Sequence, residues 1–551
     1  MTSYTLRPRA HDDLLQDLLL ARGVEDEAAQ KQFLLPDFER DSGDPMLLPD
    51  MEKAIDRIRL AVKNNEKVCV WSDYDCDGIP GGVMLTQFLR SIGLNVQHYI
   101  PHRHTEGYGL NEDGIGELAN QGITLIITID LGTTEVEQIA FANKKGIDVI
   151  VTDHHIVQHD LPDAFALINP KHPESKYGFD GLCGAGVAWK LIQGVLSKER
   201  YGIAEGQEKW FLDLVGISTL SDMVPLVGEN RMIAHFGLRV LRRNRRPGLA
   251  SLLALLKIKA STLTEDDIGF MVSPRINAAS RMDKPQKAAE LLAAESQEDA
   301  QALAYDLNRI NDERKGLVAA TTKEVNRRLA EQGTEGSVIV MGNPNWRPGI
   351  LGLVANSLVE AHHKPVFLWG REGGDTIKGS CRAPDNVNLV ELMSAARDAF
   401  IEFGGHSASG GFSVEEGRVH ELGSKLEAAF IKISAAKSEV PSTVLEREVG
   451  LEEVAHANRA LSQLAPFGVG NEKPLLLFPK VQIGRTRAFG KANDHLEIMM
   501  NKGATQIAGV SFFSTPDSFE KKPMGGVTVN VVGHIENDWR GKPRIRVVDI
   551  I

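Results

Sequence analysis

The sequence lacks the marks of several large enzyme classes. It contains no Gly-x-x-x-x-Gly-Lys-Ser/Thr, no His-Glu-x-x-His, no Gly-x-Ser-x-Gly and no complete Gly-x-Gly-x-x-Gly. ATP motors, zincin proteases, serine hydrolases and dinucleotide enzymes therefore lose their usual signatures. Cysteine is scarce. The four residues Cys69, Cys76, Cys183 and Cys381 have no pairing rhythm, which suits a reducing cytosol better than a disulfide framework. No apolar run approaches the roughly 20 residues of a membrane helix. Met1 to His11 is polar, without the apolar core of a signal peptide. The expectation is a cytoplasmic protein with no membrane association. Basic residues are in deficit, 62 against 74 acidic, for a net charge of −12. Taken globally, that argues against a nucleic-acid binder. Clustered acids would, however, be offset by bound metal, and local basic runs exist. Arg242-Arg243-Asn244-Arg245-Arg246 is one; Arg540, Lys542, Arg544 and Arg546 beside Trp539 form another. Each reads either as a solvated face or as a phosphate contact.

At 551 residues, with 42% hydrophobic and 25% charged residues, the chain predicts a globular protein of three or four domains. Residues 1–45 read as a helical extension around Leu14 to Leu20. Residues 46–295 alternate apolar strands with amphipathic helices, the pattern of an α/β domain with a mainly parallel sheet. Ala300, Leu303, Ala304, Leu307 and Ile310 recur at helical spacing between Gln297 and Glu331, where the only glycine is Gly316, so 296–334 is expected to be a long connecting helix. A smaller α/β unit follows over 335–435, with a strand at Ser337 to Met341 and a helix from about Leu351 to Ala361. The polar segment Ala435 to Ser442 reads as a boundary. Beyond it, over 443–551, lie five short strands: Leu475–Phe478, His495–Met500, Gln506–Phe512, Val527–Val532 and Arg544–Ile550. These fit a small β-barrel, of which the OB-fold suits oligonucleotides.

Four segments carry the chemistry: Asp73-Tyr74-Asp75-Cys76-Asp77-Gly78, Asp130-Leu131-Gly132, Asp153-His154-His155 and Ser221-Asp222. The first three each follow a β-branched apolar run, and acids at the carboxyl ends of successive strands of an open sheet face one crevice. In an extended chain Asp73, Asp75 and Asp77 share a face. An EF-hand reading fails, because its twelfth position is Met84. So many carboxylates repel one another unless some are protonated or cations sit among them. Oxygen ligands with imidazole, and no thiolate cluster, favour Mn²⁺ or Mg²⁺. Two such ions clamping an in-line displacement at phosphorus is a common hydrolytic device. The bland readings are an acidic turn for the triplet, a capping role for the histidines, and an N-cap or turn for Asp222 beside Pro225.

Arg275, Asn277 and Arg281 form a polar cluster that admits two readings, phosphate binding or a salt bridge clamping domains. Gly379-Ser380-Cys381-Arg382 and Gly404-Gly405-His406 combine close backbone approach with anion donors, though glycine turns are often only turns. Trp346 could stack on a base or simply be a half-buried ring.

The ordered set of motifs resembles the DHH phosphoesterase family over essentially the whole chain. Its carriers are the four segments above, Pro101-His102-Arg103-His104-Thr105-Glu106-Gly107-Tyr108-Gly109-Leu110, Leu182-Cys183-Gly184-Ala185-Gly186-Val187, Asp222-Met223-Val224-Pro225, Pro274-Arg275-Ile276-Asn277, Phe403-Gly404-Gly405-His406 and Pro466-Phe467-Gly468-Val469-Gly470-Asn471. The resemblance implies 5′-to-3′ degradation of single-stranded DNA to mononucleotides in recombination and repair, with two divalent ions, Mn²⁺ or Mg²⁺. It implies Asp75, Asp77, Asp130, His154, His155 and Asp222 as metal ligands, Asp73 as a further catalytic ligand or close support, and Asp153 as the group orienting the histidines. Arg103, Arg275, Asn277, Arg281, Ser380, Arg382 and His406 would hold phosphates. A monomer working with a single-strand-binding protein and a helicase is the implied setting. The alternatives are a phosphoesterase of short oligonucleotides and an inactive binding subunit. Four departures from the family pattern stand out: Ile79-Pro80-Gly81 after Asp-Gly, Leu131, Ser280 and Arg347.

Overall fold

The computed structural model describes residues 3–551, apart from 104, 158–159, 333–335, 372–376, 435–441, 491–492 and 539. His104, Trp539 and most of the expected boundary at Ala435–Ser442 therefore lie outside the described residues. The chain forms two compact units, Asp44–Asp222 with Gly237–Val440, and Met1–Gly43 with Met223–Phe236 and Pro441–Ile551.

The first unit is built on two sheets. One has five parallel strands, β1 (Lys67–Ser72), β2 (Asn95–Tyr99), β3 (Ile123–Ile129), β4 (Asp148–Thr152) and β5 (Ala166–Ile168), in the order β2-β1-β3-β4-β5. Val68–Ser72 and nearly all of β3 are buried, as expected for strands covered on both faces. Strand order reverses between β1 and β3, the place where open α/β sheets gather ligands at their carboxyl ends. Helix α1 (Gly78–Ser91) follows β1, and α2 (Gly184–Lys198) and α3 (Leu212–Ser221) complete the frame around that edge. Helix α4 (Ser273–Arg281) leads on to the 36-residue helix α5 (Gln297–Gln332). Beyond it lies a mixed sheet of β6 (Ile339–Gly342), β7 (Val366–Gly370), β8 (Ile377–Arg382), β9 (Glu402–Gly405) and β10 (Ser409–Val414), ordered β9-β10-β8-β7-β6. Helix α6 (Pro348–His362) begins earlier than the sequence pattern suggests, because Pro348 is accepted at a helix's first position.

The second unit closes a barrel. Strand Leu476–Phe489 pairs with His495–Lys502 on one side and with Thr528–Asn537 on the other. Thr505–Ser511 and Pro543–Ile550 complete the circuit. Register shifts between Phe478 and Val481 and between Ile483 and Thr486 bend the long strand, the usual way a sheet is curved to closure. Leu14, Leu18 and Leu19 of the N-terminal segment pack into the same core as Leu461, Phe478, Ile498 and Val531. That segment is thus part of the barrel unit. Strand Tyr4–Leu6 also pairs with Thr443–Leu445.

Two glycines set the crevice in the parallel sheet. Gly132 has φ 115° and sits against Val151 and Thr128, a backbone that side chains rarely adopt. At Gly184, the first residue of α2, a methyl group would lie 2.5 Å from Asp130 Cβ and 2.8 Å from its Cα. Gly184→Ala is expected to destabilise the protein by about 1–3 kcal/mol through overpacking, read as a lower urea midpoint at unchanged slope. Gly116→Ala, where a methyl meets nothing within 4 Å on an α-helix (Glu112–Asn120), should instead stabilise by up to about 1 kcal/mol.

Candidate metal centre

Three aspartates arise from one backbone device. The N–H of Asp73, Asp130 and Asp153 donates to the carbonyl of Ile129, Thr152 and Ile168 at 3.1, 3.0 and 3.1 Å. Each aspartate thus extends its parallel ladder by one residue and leaves its carboxylate at the sheet's end. Asp130 does so with φ 64°, a left-handed turn that aspartate tolerates better than most residues. Asp75 Oδ1 accepts from the N–H groups of Asp77 and Gly78 at 2.7 and 3.1 Å. Asp77 is held from across the crevice: the N–H groups of Gly184 and Ala185, at the start of α2, donate to its two oxygens at 2.6 and 2.9 Å. A helix N-terminus is a natural seat for a carboxylate. Asp222 stands at the carboxyl end of α3, so this acid comes from a helix end and not from a strand.

These groups converge. His154 Nε2 lies 3.0 Å from Asp130 Oδ1, 3.7 Å from Asp222 Oδ2 and 3.8 Å from Asp77 Oδ2. Three triads each have ligand atoms within 4.8 Å of one another: Asp130-His154-His155, Asp77-His154-Asp222 and Asp73-Asp75-Asp130. Asp130 and His154 are each shared by two of them. Asp153 is nearly fully buried and stands behind the histidines. Its Oδ1 accepts from His155 Nδ1 at 2.8 Å and from the backbone of His154, and its Oδ2 accepts from the N–H of Thr133.

The electrostatics follow from burial. Asp73 and Asp130 are raised well above the carboxylate range by burial and then by neighbouring carboxylates. The same causes push Asp77 to about 6 and Asp222 to about 9. Burial, then the charge of His155, lowers His154 to about 3, leaving the neutral imidazole that binds metal. Burial also works against the charged form of His155, but the hydrogen bond and charge of Asp153 outweigh it and raise its pKa. For Asp153, the hydrogen bond and charge of His155 likewise outweigh burial and lower its pKa. Asp73 Oδ1 and Asp130 Oδ1 are buried without a hydrogen-bond partner. The 3.0 Å approach of His154 to Asp130 is therefore a convergence of ligand atoms and not a hydrogen bond. Orphaned carboxylate oxygens, neutral imidazole and an oxygen-rich donor set fit divalent ions of the Mn²⁺ or Mg²⁺ class. Linked triads with a shared aspartate suit two adjacent ions.

A cavity of about 300 Å³ opens on this cluster, lined by Asp73, Asp75, Asp130, His155 and Asp222 and also by Arg103, Asn277 and Arg281. Arg103 sits 4.7 Å over the ring of Tyr74. Arg281 Nη1 donates to the Gly349 carbonyl at 2.8 Å, joining α4 to the start of α6. Burial and the charges of Arg103, Arg314 and Arg382 hold its pKa below the usual value. The other phosphate-binding candidates are not among the lining residues. Arg275 is turned to Asn308 Oδ1 and the Met271 carbonyl, neutral partners in place of the salt bridge the sequence left open. Ser380 and Arg382 lie two apart on β8, where Arg382 Nη1 donates to the Cys381 carbonyl. His406 is exposed on the β9–β10 hairpin, its N–H bonded to Ser409. Trp346 is buried, with Nε1–H donating to Glu324 at 3.0 Å, so it is no base-stacking ring. In the basic run, Arg242 and Arg246 donate to the carbonyls of Leu263 and Leu292, and Arg245 stacks on Trp210.

Sequence reading passed over two residues here. Tyr108 lines the cavity, and its hydroxyl donates to the Asp130 carbonyl at 2.9 Å. Glu135, raised to about 8 by burial, accepts from the N–H of Leu110 at 2.9 Å and ties down the loop that carries Arg103. Tyr108 stands in a quoted motif, so a signal was present; Glu135 had none.

The comparisons agree with this architecture. Residues 67–219 match the DHH family N-terminal domain, 335–432 the DHHA1 domain and 448–548 the RecJ OB domain. The chain is 32% identical over 541 residues to the single-stranded-DNA-specific exonuclease RecJ of Bacillus subtilis, covering 97% of this chain and 67% of that one. It is 29% identical over 580 residues to the protein of that name from Dickeya dadantii, covering 99% and 97%. The crystal structure of RecJ with Mn²⁺ from Thermus thermophilus superposes with a TM-score of 0.79 at 27% identity, covering 100% of this chain and 79% of that one. The corresponding Mg²⁺ complex gives 0.74 at 26% identity, covering 100% and 78%.

The raised carboxyls make a signed prediction. Asp222 binds a proton in the fold up to about pH 9, where the unfolded chain, with its usual 3.8, has long lost it. Stability contributed this way is lost as pH rises through about 9, and regained as it falls. With EDTA present, Tm should therefore rise as pH falls from 9 to 7, a window above the usual histidine pKa of 6.5 at which neutral His154 begins to oppose the trend. Saturating Mn²⁺ should remove or reverse that slope, because the ion needs the ionised carboxylates. A slope independent of Mn²⁺ would contradict the assignment.

Proposed function

This chain belongs to the RecJ single-stranded-DNA-specific exonucleases of the DHH family, and from that premise we propose that it removes mononucleotides from the 5′ end of single-stranded DNA. The observation that carries the reading is one cavity of about 300 Å³ lined by carboxylates and an imidazole together with two guanidinium groups. The first set fits cations and the second fits an anion, which is what hydrolysis of a phosphodiester requires. The space suits one nucleotide and not a duplex end. Asp75, Asp77, Asp130, His154, His155 and Asp222 would hold two Mn²⁺ or Mg²⁺ ions, with Asp73 as a further ligand or support. When bound, such ions lower the pKa of an attacking water and offset charge on the phosphoryl oxygens.

The chain's own residues do the rest. Asp130, shared by two triads, fixes the spacing of the centre, and Tyr108 fixes Asp130 by gripping its carbonyl. Asp153 holds His155 in the tautomer that offers its other nitrogen to a ligand. Arg103, Asn277 and Arg281 position the phosphate, with Ser380, Arg382 and His406 reserved for its 5′-terminal side. The barrel would bind the strand beyond the site. Its outer surface carries Phe489, His495 and Phe512 with ring centroids 5.2 and 5.5 Å apart along the row, next to an 82%-exposed Phe513, and exposed rings are stacking surfaces for bases. A cytoplasmic monomer acting in recombination and repair, alongside a helicase and a single-strand-binding protein, is the setting we propose. Among the described residues no helix is long and apolar enough to cross a membrane.

The test uses single strands labelled at either end, with Mn²⁺, and EDTA and blunt-duplex controls. Immediate release of labelled mononucleotide from the 5′-labelled strand alone, blocked by EDTA, is the expected result. Turnover of dinucleotides without attack on long strands would favour a short-oligonucleotide phosphoesterase, and binding without hydrolysis a binding subunit. Asp130→Asn should lower kcat by on the order of 10³-fold or more, whereas Asp153→Asn should cost about 10- to 100-fold. Equal losses would erase the distinction between ligand and orienting group.

A further inference from the structure

The guanidinium wall of the cavity extends into the long helix. Helix α4 packs on α5 through Ala278 and Met282 against Ile310, with Leu317 beside them. Arg275 Nε, one turn before Ala278, donates to Asn308 Oδ1 at 3.0 Å. The two helices therefore run alongside each other with Arg281 level with the middle of the 308–317 stretch. Arg314 lies there. Its charge reaches both Arg275 and Arg281. It is half-buried, and its Nε is buried with no hydrogen-bond partner. The only carboxylate whose charge bears on it is the exposed Asp312, and among the described residues it forms no ion pair. One turn earlier on the same side, Asn311 is completely buried with neither amide atom hydrogen-bonded. Asn277 Oδ1, in the cavity lining, is orphaned as well.

Such a set is costly as it stands. Guanidinium groups repel one another, and each buried donor without a partner forfeits its hydration. Structural arginines in this chain are answered, some by acids and some by carbonyls: Arg57 meets Glu66 and Asp148 at 2.8 and 2.6 Å, Arg246 meets Asp213 at 3.0 Å, and Arg242 meets the Leu263 carbonyl at 2.7 Å. Among the described residues Arg281 meets only the Gly349 carbonyl and the Arg314 Nε meets nothing, yet Arg281 lines a cavity that metal-fitting carboxylates also line. An anion with several acceptor oxygens satisfies both guanidinium groups at once, and a phosphate does so with matched geometry.

We propose that Arg314 is a phosphate ligand of the substrate strand, sharing with Arg281 a phosphate next to the one that is hydrolysed. This rests on the strand-hydrolysis reading above, and it adds a contact from the connecting helix to that site.

The test separates the two claims. Binding of a single strand of about 20 nucleotides is followed by fluorescence anisotropy over a range of NaCl concentrations, with Ca²⁺ in place of the activating ion, and hydrolysis is measured separately with Mn²⁺. Arg314→Gln should weaken binding on the order of tenfold and flatten the log–log salt slope by about 0.7, the value for one phosphate contact on a single strand. Its KM should rise by more than its kcat falls. Arg314→Lys keeps the charge and should restore the slope while recovering only part of the affinity. Unchanged affinity and slope in Arg314→Gln would overturn the proposal, as would a fall in kcat with no change in slope. Protection of the wild type by inorganic phosphate alone, with strand binding indifferent to Arg314, would also overturn it, assigning the residue to free phosphate. If the wild type binds strands without cleaving them, the exonuclease reading fails while the slope comparison still decides the role of Arg314. A wild type that binds no strand overturns both.

Discussion

Carboxylates that repel one another must be held within a few ångströms in a buried place, and most of this unit's architecture answers that demand. Asp73, Asp77, Asp130 and Asp222 are each shifted towards the protonated state for the same two reasons, burial and proximity. Left to side-chain freedom alone, such groups would swing apart into water. They are kept together by main chain. Asp73 and Asp130 are set where a parallel ladder runs one residue past its strand, and Asp77 is fixed by two N–H groups of α2. The free energy stored in this crowding is what a divalent ion recovers on binding, so affinity for metal and instability without it are one quantity seen from two sides.

The same constraint explains where the sequence is unusually small. Gly184 leaves room for Asp130, and Gly132 permits the turn that directs it. A bulkier chain at either point would open the crevice by moving the acids, so the glycines act through spacing and not through contact with a substrate. Asp153 shows the opposite case. It is driven towards ionisation, because His155, Thr133 and local N–H groups satisfy it. It serves as the fixed negative charge that sets the histidines, while its neighbours await a positive one.

Much of this was legible before any coordinates. β-branched runs ending in Asp marked the parallel strands, because side chains buried on both faces leave a continuous apolar signature. Most of the acid and histidine set was legible for the same reason: Asp73, Asp130 and Asp153 with its histidines follow strand ends, where local pattern and position coincide. What stayed hidden depends on long-range partners. Leu14, Leu18 and Leu19 announce a helix but not that it packs in the barrel core. Arg275 and Arg281 are alike in sequence, yet one is turned to Asn308 and the other faces the cavity. Glu135 is an ordinary glutamate until the fold buries it against Leu110. Asp222 was found by its motif, with nothing local to show that a helix end delivers it to the point where strand ends deliver the others.

Net charge was the least informative of the global numbers, and the site explains why. A chain of net charge −12 looks ill-suited to a polyanion only if its charges are averaged over the surface. Here a large share of the local acid is concentrated in one cluster that fits cations, and once it is neutralised the potential beside it is set by Arg103, Arg281, Arg314 and Arg382. The repulsion those four feel, seen in the depressed pKa of Arg281, mirrors the repulsion among the carboxylates. Each set is unstable alone, and the relief they give one another, as between Arg281 and Asp75 or Arg103 and Asp73, is outweighed by burial and like charge. Metal on one side and phosphate on the other relieve both, so the two ligands favour each other's binding through the field they share. Such an arrangement draws its selectivity from the pair, since a cation without the strand, or a strand without the cation, leaves half of the strain in place.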